Sequence, residues 1–329
     1  MLVLNATEVR QALPMREAIE GMKRAFAALS DGRAVVPLRS RLPIEAHDAL
    51  SLFMPAFVHN PDGEALAVKI VSLFPENPGR GLAYIQAAVL VMEPDTGRSI
   101  GLLEGSALTA IRTGAAAGAA VDLLSRPESR VLTVFGAGAQ GRTQLEAACS
   151  VREIRTVWIF DSAAGQAGRM AADLSGVGPI PRDVRVASSP RQAVMGADII
   201  CTATTSRTPV FSDADVRSGA HISAVGSYTP EMQELPAETM KRARVVVDSR
   251  SAALAETGDL IQPIRAGLFS KDHIAAELGE LVSGRAVGRQ SIDEITVFKS
   301  VGIAVQDAVA ASIALANAGK LGIGQEVGF

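Results

Sequence analysis

The pattern of apolar and polar positions divides the chain into parts of different character. In the first part, Met15–Ser30 carries apolar residues at helical spacing, and apolar runs joined by tight turns such as Asn60–Gly63 follow it. Alternating runs of this length between turn residues predict strands. The predicted strands are Leu50–Val58, Leu66–Phe74, Leu82–Met92 and Ser99–Leu103. Short connections favour an antiparallel sheet, so this part is expected to be α+β.

From Val131 onward, short apolar runs alternate with helix-like segments. The predicted strands are Val131–Phe135, Thr156–Phe160, Val184–Ala187, Ile199–Thr202, His221–Val225 and Val245–Asp248. Strands that alternate with helices predict a parallel sheet with right-handed crossovers. We expect Leu254–Leu281 to be largely helical and Ile295–Phe298 to be a further strand. The long apolar helix Ser300–Ala318 follows, and we expect it to return to the first part of the chain.

A glycine-rich turn follows the first of these strands. Gly136, Gly138 and Gly141 form a Gly-x-Gly-x-x-Gly pattern between a predicted strand and a predicted helix. Such glycines allow a tight turn and close approach to a phosphate, which the helix N-terminus attracts. The next strand ends in Asp161, about 20 residues after Gly141, where a carboxylate accepts hydrogen bonds from ribose hydroxyls. The pattern predicts a dinucleotide site; the alternative is a glycine-rich turn in an ordinary α/β domain.

Two more turns follow predicted strands of the same half. Thr202–Thr205 and Val225–Pro230 lie where the carboxyl ends of parallel strands bind ligands. Both are candidate cofactor loops, although plain strand-to-helix turns have similar sequences.

Three basic residues are candidates for chemistry in the first part of the chain. Lys69 stands within an apolar strand. Either it lies at a sheet edge with its ammonium in solvent, or its ammonium faces a substrate pocket and burial shifts the pKa of the lysine. Arg39 and Arg41 share one face of an extended segment, which suits carboxylate binding but is more often a solvated face. Arg112 opens an Ala/Gly-rich helix predicted over Thr109–Leu124, and its partner is either a structural carboxylate or an anionic ligand.

Composition narrows the classes of protein. The chain has 329 residues, which suggests two domains, with 48% hydrophobic residues, 20% charged residues and a net charge of −3. This charge gives no reason to expect nucleic acid or an anionic membrane as a partner. No basic n-region with an apolar core opens the chain, and no run reaches the about 18 uninterrupted apolar residues of a membrane span. Cys149 and Cys201 lack metal or redox spacing, so we expect reduced thiols and a cytoplasmic protein.

The sequence gives no support for a metal site or for a serine nucleophile. The four histidines have no ligand spacing, so no metal site is expected. Gly97-Arg-Ser-Ile-Gly101 matches a nucleophile elbow, but no helix starts directly behind Ser99, as that motif requires.

Taken together, motifs along nearly the whole chain resemble the ornithine cyclodeaminase/μ-crystallin family. They are Met54-Pro-Ala56, Val68-Lys-Ile70, Gln86-Ala-Ala-Val-Leu90 with Glu93-Pro94, Leu108-Thr-Ala-Ile-Arg-Thr113, Gly136-Ala-Gly-Ala-Gln-Gly141, Gly226-Ser-Tyr-Thr-Pro-Glu-Met-Gln-Glu-Leu235 and Phe298-Lys-Ser-Val-Gly302. The resemblance implies an α/β protein in which a Rossmann-type parallel-sheet domain, residues 123–299, is inserted into a discontinuous α+β domain. The discontinuous domain, residues 1–122 and 300–329, would bind substrate and form a homodimer.

The resemblance also implies roles for individual residues. Lys69, Arg112 and Arg39 match the family's catalytic and substrate-carboxylate cluster, and Arg39 fits better than Arg41. The implied cofactor site consists of Thr113, Gly136, Gly138, Ala139, Gln140, Asp161, Thr202, Ala203, Thr204, Val225 and Gly226. Asp161 favours NAD(H), with NADP(H) as the alternative, because NADP(H)-preferring members tend to carry a neutral residue and then Arg where this chain has Asp161 and Ser162.

Tyr228 departs from the cyclodeaminase pattern. Cyclodeaminases of the family carry an aspartate there, thought to engage the substrate amine, and a tyrosine is not an anion at neutral pH. The surrounding sequence is similar to that of the family's imine reductases. The resemblance therefore implies an NAD(P)H-dependent oxidoreductase of small imino acids, first of all Δ1-pyrroline-2-carboxylate, giving L-proline, and also piperideine-2-carboxylate. Alternatives are ornithine or lysine cyclodeaminase, alanine dehydrogenase, and a non-catalytic cofactor-binding protein like the crystallin members.

Overall fold

The chain, seen in a computed structural model that describes residues 1–61 and 63–328, divides into two compact units. Unit 1 comprises Met1–Arg112 and Ile303–Phe329, and unit 2 comprises Thr113–Gly302. The first unit is thus discontinuous in sequence, because its last segment follows the whole of the second. The family resemblance predicts these two crossings at nearby positions, after residues 122 and 299.

Unit 1 and the helix that leaves it contain the elements before residue 125. They are β1 (Leu2–Leu4), α1 (Ala6–Ala12), α2 (Met15–Ser30), β2 (Ala34–Val35), β3 (Ser40–Ile44), β4 (Ala49–Asn60), β5 (Gly63–Leu73), β6 (Ile85–Met92), β7 (Ser99–Glu104) and α3 (Gly105–Leu124). Two short 3₁₀ helices, Glu45–His47 and Asn77–Arg80, connect strands.

Unit 2 continues with alternating strands and helices. They are β8 (Val131–Phe135), α4 (Ala139–Val151), β9 (Thr156–Phe160), α5 (Gln166–Leu174), β10 (Val184–Val186), α6 (Pro190–Val194), β11 (Ile199–Thr202), β12 (His221–Ala224), α7 (Ala237–Arg242), β13 (Arg244–Val247), α8 (Arg250–Glu256), α9 (Gly258–Arg265), β14 (Ile274–Glu277), α10 (Leu278–Val282) and β15 (Thr296–Lys299), with 3₁₀ turns at Asp213–Asp215 and Lys271–His273. The chain then returns to unit 1 with α11 (Ala304–Leu321) and β16 (Gln325–Glu326).

The sheet of unit 1 has the order β16-β1-β7-β6-β5-β4-β2, and β3 also pairs with β4. Its pairs are antiparallel except β1 with β7, which is parallel, so the prediction of an antiparallel sheet is wrong for this one pair. The reason is the connection: α1, α2 and several strands separate β1 from β7, and no hairpin joins them. The hairpin β4–β5 is confirmed by pairing from Leu50 with Leu73 to Asn60 with Gly63, while Asp62 of its turn lies outside the described residues.

The core of unit 1 lies between this sheet and its helices. On β4, Met54, Ala56 and Val58 are buried, as the period of two requires for one covered face. Helix α2 contributes Ile19, Met22 and Phe26 at helical spacing, and α11 packs on α2, β4 and β5. The last helix therefore completes a core that the first part of the chain begins.

Unit 2 contains a sheet of parallel strands in the order β10-β9-β8-β11-β12-β15-β13-β14. Near-continuous apolar strands such as Ile199–Thr202 are buried on both faces, which is typical of such sheets. The mixed α/β fold with a Rossmann-type parallel sheet is thereby confirmed.

Two predictions about elements are wrong. Leu254–Leu281, predicted to be largely helical, is α-helical only in the parts that belong to α8, α9 and α10. Ile274–Glu277 instead forms β14 and pairs with β13, because sheet pairing overrides the helical preference of its alanines. Helix α3 begins at Gly105 rather than Thr109, because the Glu104 carboxylate accepts hydrogen bonds from the N–H groups of Ser106 and Ala107. Arg112 consequently lies inside the helix and does not open it.

Helix α3 is long and apolar enough to cross a membrane by length and composition. Of its most hydrophobic window, 78% is buried inside the protein, which is how a core helix is packed.

Candidate functional site

In unit 2, the carboxyl ends of β8, β9 and β11 surround a cavity of about 470 Å³. Gly136 and Gly138 line it from the turn after β8, Asp161 from the end of β9, and Ala203 and Thr204 from the turn after β11. These residues, predicted separately from three turns, are therefore brought together at one edge of the sheet.

The glycine turn has the close contacts that its residues permit. Gly136 has φ of +93°, and a Cβ there would overlap the carbonyl oxygen of Ala203. A Cβ on Gly141 would overlap the carbonyl oxygen of Gly136. At Gly138, which caps α4, no protein atom lies within 4 Å of the Cβ position. Gly136 and Gly141 thus shape the turn, whereas Gly138 leaves space beside the helix N-terminus that suits a phosphate.

Asp161 connects two of the turns. Its Oδ2 accepts a hydrogen bond of 2.7 Å from the N–H of Ala137, and its Oδ1 accepts one of 2.8 Å from the N–H of Ala163. Each carboxylate oxygen has a second lone pair, so the group can still accept from ribose hydroxyls.

The other predicted cofactor residues lie near this edge. Ala139 and Gln140 open α4, and the buried Thr202 accepts a backbone hydrogen bond from Val225. Thr113 begins unit 2 on α3, and the next residue, Gly114, lies against Thr143 of α4, where a Cβ would be 2.6 Å from the Thr143 Cβ. A side chain that sequence reasoning missed, Glu234, bonds both Thr204 and Gly226.

In unit 1, Lys69 and Arg112 share one carboxylate. Lys69 Nζ lies 2.7 Å from Oδ2 of Asp307, and Arg112 Nε donates to Oδ1 of the same residue at 2.9 Å. Arg112 Nη1 donates to Oε1 of Gln306, also at 2.9 Å. All four side chains are buried. Arg112 thus has the structural carboxylate of the first alternative, while its Nη2 takes part in neither bond.

Strand register and a helix start explain this cluster. Lys69 on β5 stands opposite Met54 and Val89, on the sheet face that carries the core. Helix α11 packs on that face, and its first turn contains Gln306 and Asp307. The Ile303 N–H donates to Gln306 Oε1 at 2.8 Å, which fixes the start of the helix beside the strands.

Arg39 stands level with this cluster in the strand register, and its side chain is less exposed than that of Arg41. Arg39 immediately precedes β3, where Ser40 pairs with Phe53; the register therefore brings Arg39 level with Met54, the partner of Lys69. Its positive charge also contributes to lowering the pKa of Lys69.

The environment of Lys69 lowers its pKa to about 8. Burial is the largest cause, and the positive charge of Arg112 is the next, while the Asp307 carboxylate acts in the opposite direction. An ammonium with such a pKa can donate a proton near neutral pH. Asp307 was missed in the sequence, although an acid within an apolar helix is the same signal that singled out Lys69.

No group of His, Cys, Asp and Glu that could hold a metal ion occurs within residues 1–61 and 63–328. The two cysteines, Cys149 and Cys201, are free thiols buried in unit 2.

A parallel sheet with a glycine turn before a helix and an acid at the next strand end defines the class of dinucleotide-binding α/β proteins. Residues 1–320 match the model of the ornithine cyclodeaminase/mu-crystallin family. The chain belongs to this family, as its motifs predicted.

Three relatives illustrate the similarity. A Δ1-pyrroline-2-carboxylate reductase of Bacillus cereus is 40% identical over the full length of both chains. The structure of the Thermococcus litoralis Δ1-pyrroline-2-carboxylate reductase with NADH and L-proline has a TM-score of 0.93 and 41% identity, covering 99% of this chain and 100% of that one. An archaeal alanine dehydrogenase dimer with bound NAD has a TM-score of 0.91 and 31% identity, covering 100% and 99%.

Proposed function

We propose that this protein is an NAD(H)-dependent reductase of small cyclic imino acids, with Δ1-pyrroline-2-carboxylate, which gives L-proline, as its first substrate and piperideine-2-carboxylate as a second. The observation that carries the proposal is the buried cluster of Lys69, Arg112 and Asp307, which combines a proton donor with an anion-binding guanidinium. The Bacillus and Thermococcus relatives, at 40% and 41% identity, support the choice of substrate.

The substrate carboxylate is bound by arginine in this mechanism. Arg112 is held by Asp307 and Gln306 through Nε and Nη1, so its position is fixed before substrate arrives. A fixed guanidinium presents N–H donors to a carboxylate at a small entropic cost. Arg39, which is level with Met54, is the second candidate for this anion.

Lys69 handles the proton. Reduction of a C=N bond adds a hydride to carbon and a proton to nitrogen. The cofactor, when bound, supplies the hydride. Lys69 hydrogen-bonds the substrate nitrogen and donates the proton directly or through water, and Asp307 orients the ammonium. The residues proposed to hold the cofactor are the eleven predicted residues of unit 2, of which Thr113 is the first along the chain and Gly226 the last. Among them, Asp161 accepts hydrogen bonds from the ribose hydroxyls and favours NAD(H).

A homodimer through the open face of the unit 1 sheet completes the proposal. Side chains that alternate with the buried set on β4, β5 and β6 form a half-exposed apolar face; they are Phe53, Pro55, Phe57, Leu66, Val68, Ile70, Leu90 and Met92. Ile70 is 39% exposed. Contiguous apolar patches of this kind mark interaction sites, and the archaeal alanine dehydrogenase relative is a dimer. We expect the enzyme to act in the cytoplasm, where its buried thiols stay reduced.

The test is NADH absorbance with four substrates: pyrroline-2-carboxylate, piperideine-2-carboxylate, pyruvate with ammonia, and ornithine. Loss of NADH with the cyclic imines is expected. Loss only with pyruvate and ammonia identifies an alanine dehydrogenase, and proline from ornithine without NADH loss identifies a cyclodeaminase. Cofactor binding without turnover of any substrate identifies a binding protein. Each of the last three outcomes contradicts the proposal.

A further inference from the structure

The Glu234 carboxylate connects two loops at the carboxyl edge of the unit 2 sheet. Its Oε1 accepts hydrogen bonds from the N–H and the hydroxyl of Thr204, at 2.7 and 2.9 Å. Its Oε2 accepts from the N–H groups of Gly226 and Ser227, at 2.7 and 3.2 Å. One oxygen therefore holds the loop after β11 and the other holds the loop after β12.

The contact between these loops is tight and buried. Glu234 is fully buried. A Cβ on Gly226 would overlap both the Thr204 carbonyl oxygen and Oε1 of Glu234. Burial raises the pKa of the Glu234 carboxyl, whereas the donors from Thr204 and the charge of Lys299 act in the opposite direction.

A second buried carboxylate fixes Glu234 itself. Oδ1 of Asp259 accepts from the N–H groups of Glu234 and Leu235, at 2.7 and 2.9 Å. Lys299 Nζ, at the end of β15, lies 3.2 Å from Oδ2 of Asp259, and both residues are fully buried. Glu234 is thus tied to the end of a third strand and not only to the loops it holds.

One of the two loops lines the candidate cofactor cavity. Ala203 and Thr204 face the same space as Gly136 and Asp161. A loop whose amide and hydroxyl are already bonded to a buried carboxyl group has less conformational freedom to lose, and such preorganisation lowers the cost of ligand binding.

We propose that Glu234 is a positioning residue for the dinucleotide: it holds the Ala203–Thr204 and Gly226–Ser227 loops in their binding arrangement before the cofactor arrives. The inference rests on the proposed function, because it takes the ligand of this cavity to be NAD(H).

The first experiment is Glu234→Gln, with NADH affinity measured by fluorescence titration. The amide has one acceptor oxygen in place of two, so it can hold only one loop. We expect the Kd for NADH to rise at least 10-fold, and the KM for imino acid at saturating NADH to change less than 3-fold.

The matched control is Asp198→Asn. Asp198 is also buried, and its Oδ2 accepts from the N–H groups of Arg130 and Val131, at 2.8 and 3.0 Å, but at the amino ends of β8 and β11. A comparable loss of thermal stability with unchanged NADH affinity is expected. Equal effects of both variants on the Kd, or no effect of Glu234→Gln, contradict the inference, whereas absence of NADH binding by the unmodified protein contradicts the proposed function.

Hydrogen exchange on the unmodified protein removes any dependence on folding of the variant. The amides of Thr204, Gly226 and Ser227 should be protected without cofactor nearly as well as those of β12. Exchange at the rate of exposed loops until NADH is added would show that the cofactor, and not Glu234, orders these loops.

Discussion

At the scale of single residues, the distinctive feature is that Asp307 serves two cations at once. It orients Lys69 through one oxygen and Arg112 through the other. Removing one partner of a buried charged cluster leaves the remaining charges imperfectly compensated, so we expect both stability and the proposed reaction to respond to changes here.

Lys69→Ala is expected to lower kcat for imine reduction by about 10²–10⁴-fold, because general acid catalysis contributes about that much. The Kd for NADH should stay within 3-fold, since no cofactor residue is altered. Stopped-flow turnover and fluorescence titration measure the two quantities, and Lys320→Ala, the same change at an exposed position, is the control. Near-normal turnover of Lys69→Ala would remove this residue from the mechanism.

The pKa of Lys69, lowered to about 8, predicts the pH dependence of reduction. Above this pH the ammonium loses its proton, so kcat/KM should fall about tenfold per pH unit if Lys69 is the donor. The unfolded chain holds this proton up to about pH 10.5, so the same group makes folding less favourable below pH 8, and that cost disappears as the pH rises from 8 to 10.5. A rate profile that stays flat to pH 10, measured at saturating NADH, argues against Lys69 as the donor.

The choice of coenzyme should depend on Asp161. A carboxylate repels the 2′-phosphate of NADP(H), whereas a neutral residue followed by an arginine can bind it. The double variant Asp161→Ser with Ser162→Arg is expected to shift the ratio of kcat/KM for NADPH over NADH at least 10-fold toward NADPH. Asp161→Ser alone serves as the control that separates lost repulsion from gained attraction. An unchanged ratio means that another residue selects the coenzyme.

At the scale of elements, different glycines of the turn between β8 and α4 are expected to determine the turn conformation and the cofactor affinity. Gly141→Ala places a methyl group on the Gly136 carbonyl and is expected to lower Tm by several degrees or prevent folding. Gly138→Ala meets no protein atom, so Tm should stay within about 2 °C, while the Kd for NADH should rise about 10-fold or more because the methyl group enters the space proposed for the phosphate. Differential scanning calorimetry and NADH titration test the pair. Unchanged affinity of Gly138→Ala contradicts the placement of the phosphate.

Local patterns sufficed for elements whose signals lie within the element. Val131–Phe135 and Met15–Ser30 were predicted with their observed bounds because apolar periodicity and flanking turn residues define them. The strand Ile274–Glu277 was missed because its alanines favour a helix and only its pairing with β13 makes it a strand.

The site divides in the same way. Lys69, Arg112 and Asp161 stand out as charges in unusual local sequence. Asp307 also stands out locally, as an acid within an apolar helix, but its pairing with Lys69 depends on a contact between distant parts of the chain. Glu234 acquires its bonds to Thr204 and Gly226 in the same way, and its local sequence gives no comparable signal.

At the scale of the whole molecule, the open sheet face predicts the oligomeric state. Val68→Glu puts a charge at the centre of this face and should convert a dimer to a monomer in light scattering after size-exclusion chromatography, because burying an unpaired charge is costly. Leu321→Glu, at a residue that is 57% exposed near the end of α11, should leave the dimer intact. A monomeric unmodified protein, or a dimeric Val68→Glu variant, contradicts the proposed interface.

The late return of α11 has a consequence for how the protein is made. The sheet face of β4 and β5 receives its covering helix only after all of Thr113–Gly302 has left the ribosome. At the usual rates of translation this takes roughly 10 s or more, during which the apolar face and Lys69 have no Asp307 to meet. A chain that is truncated before Ala304 therefore exposes the apolar sheet face that α11 covers and lacks Asp307, the partner of Lys69 and Arg112.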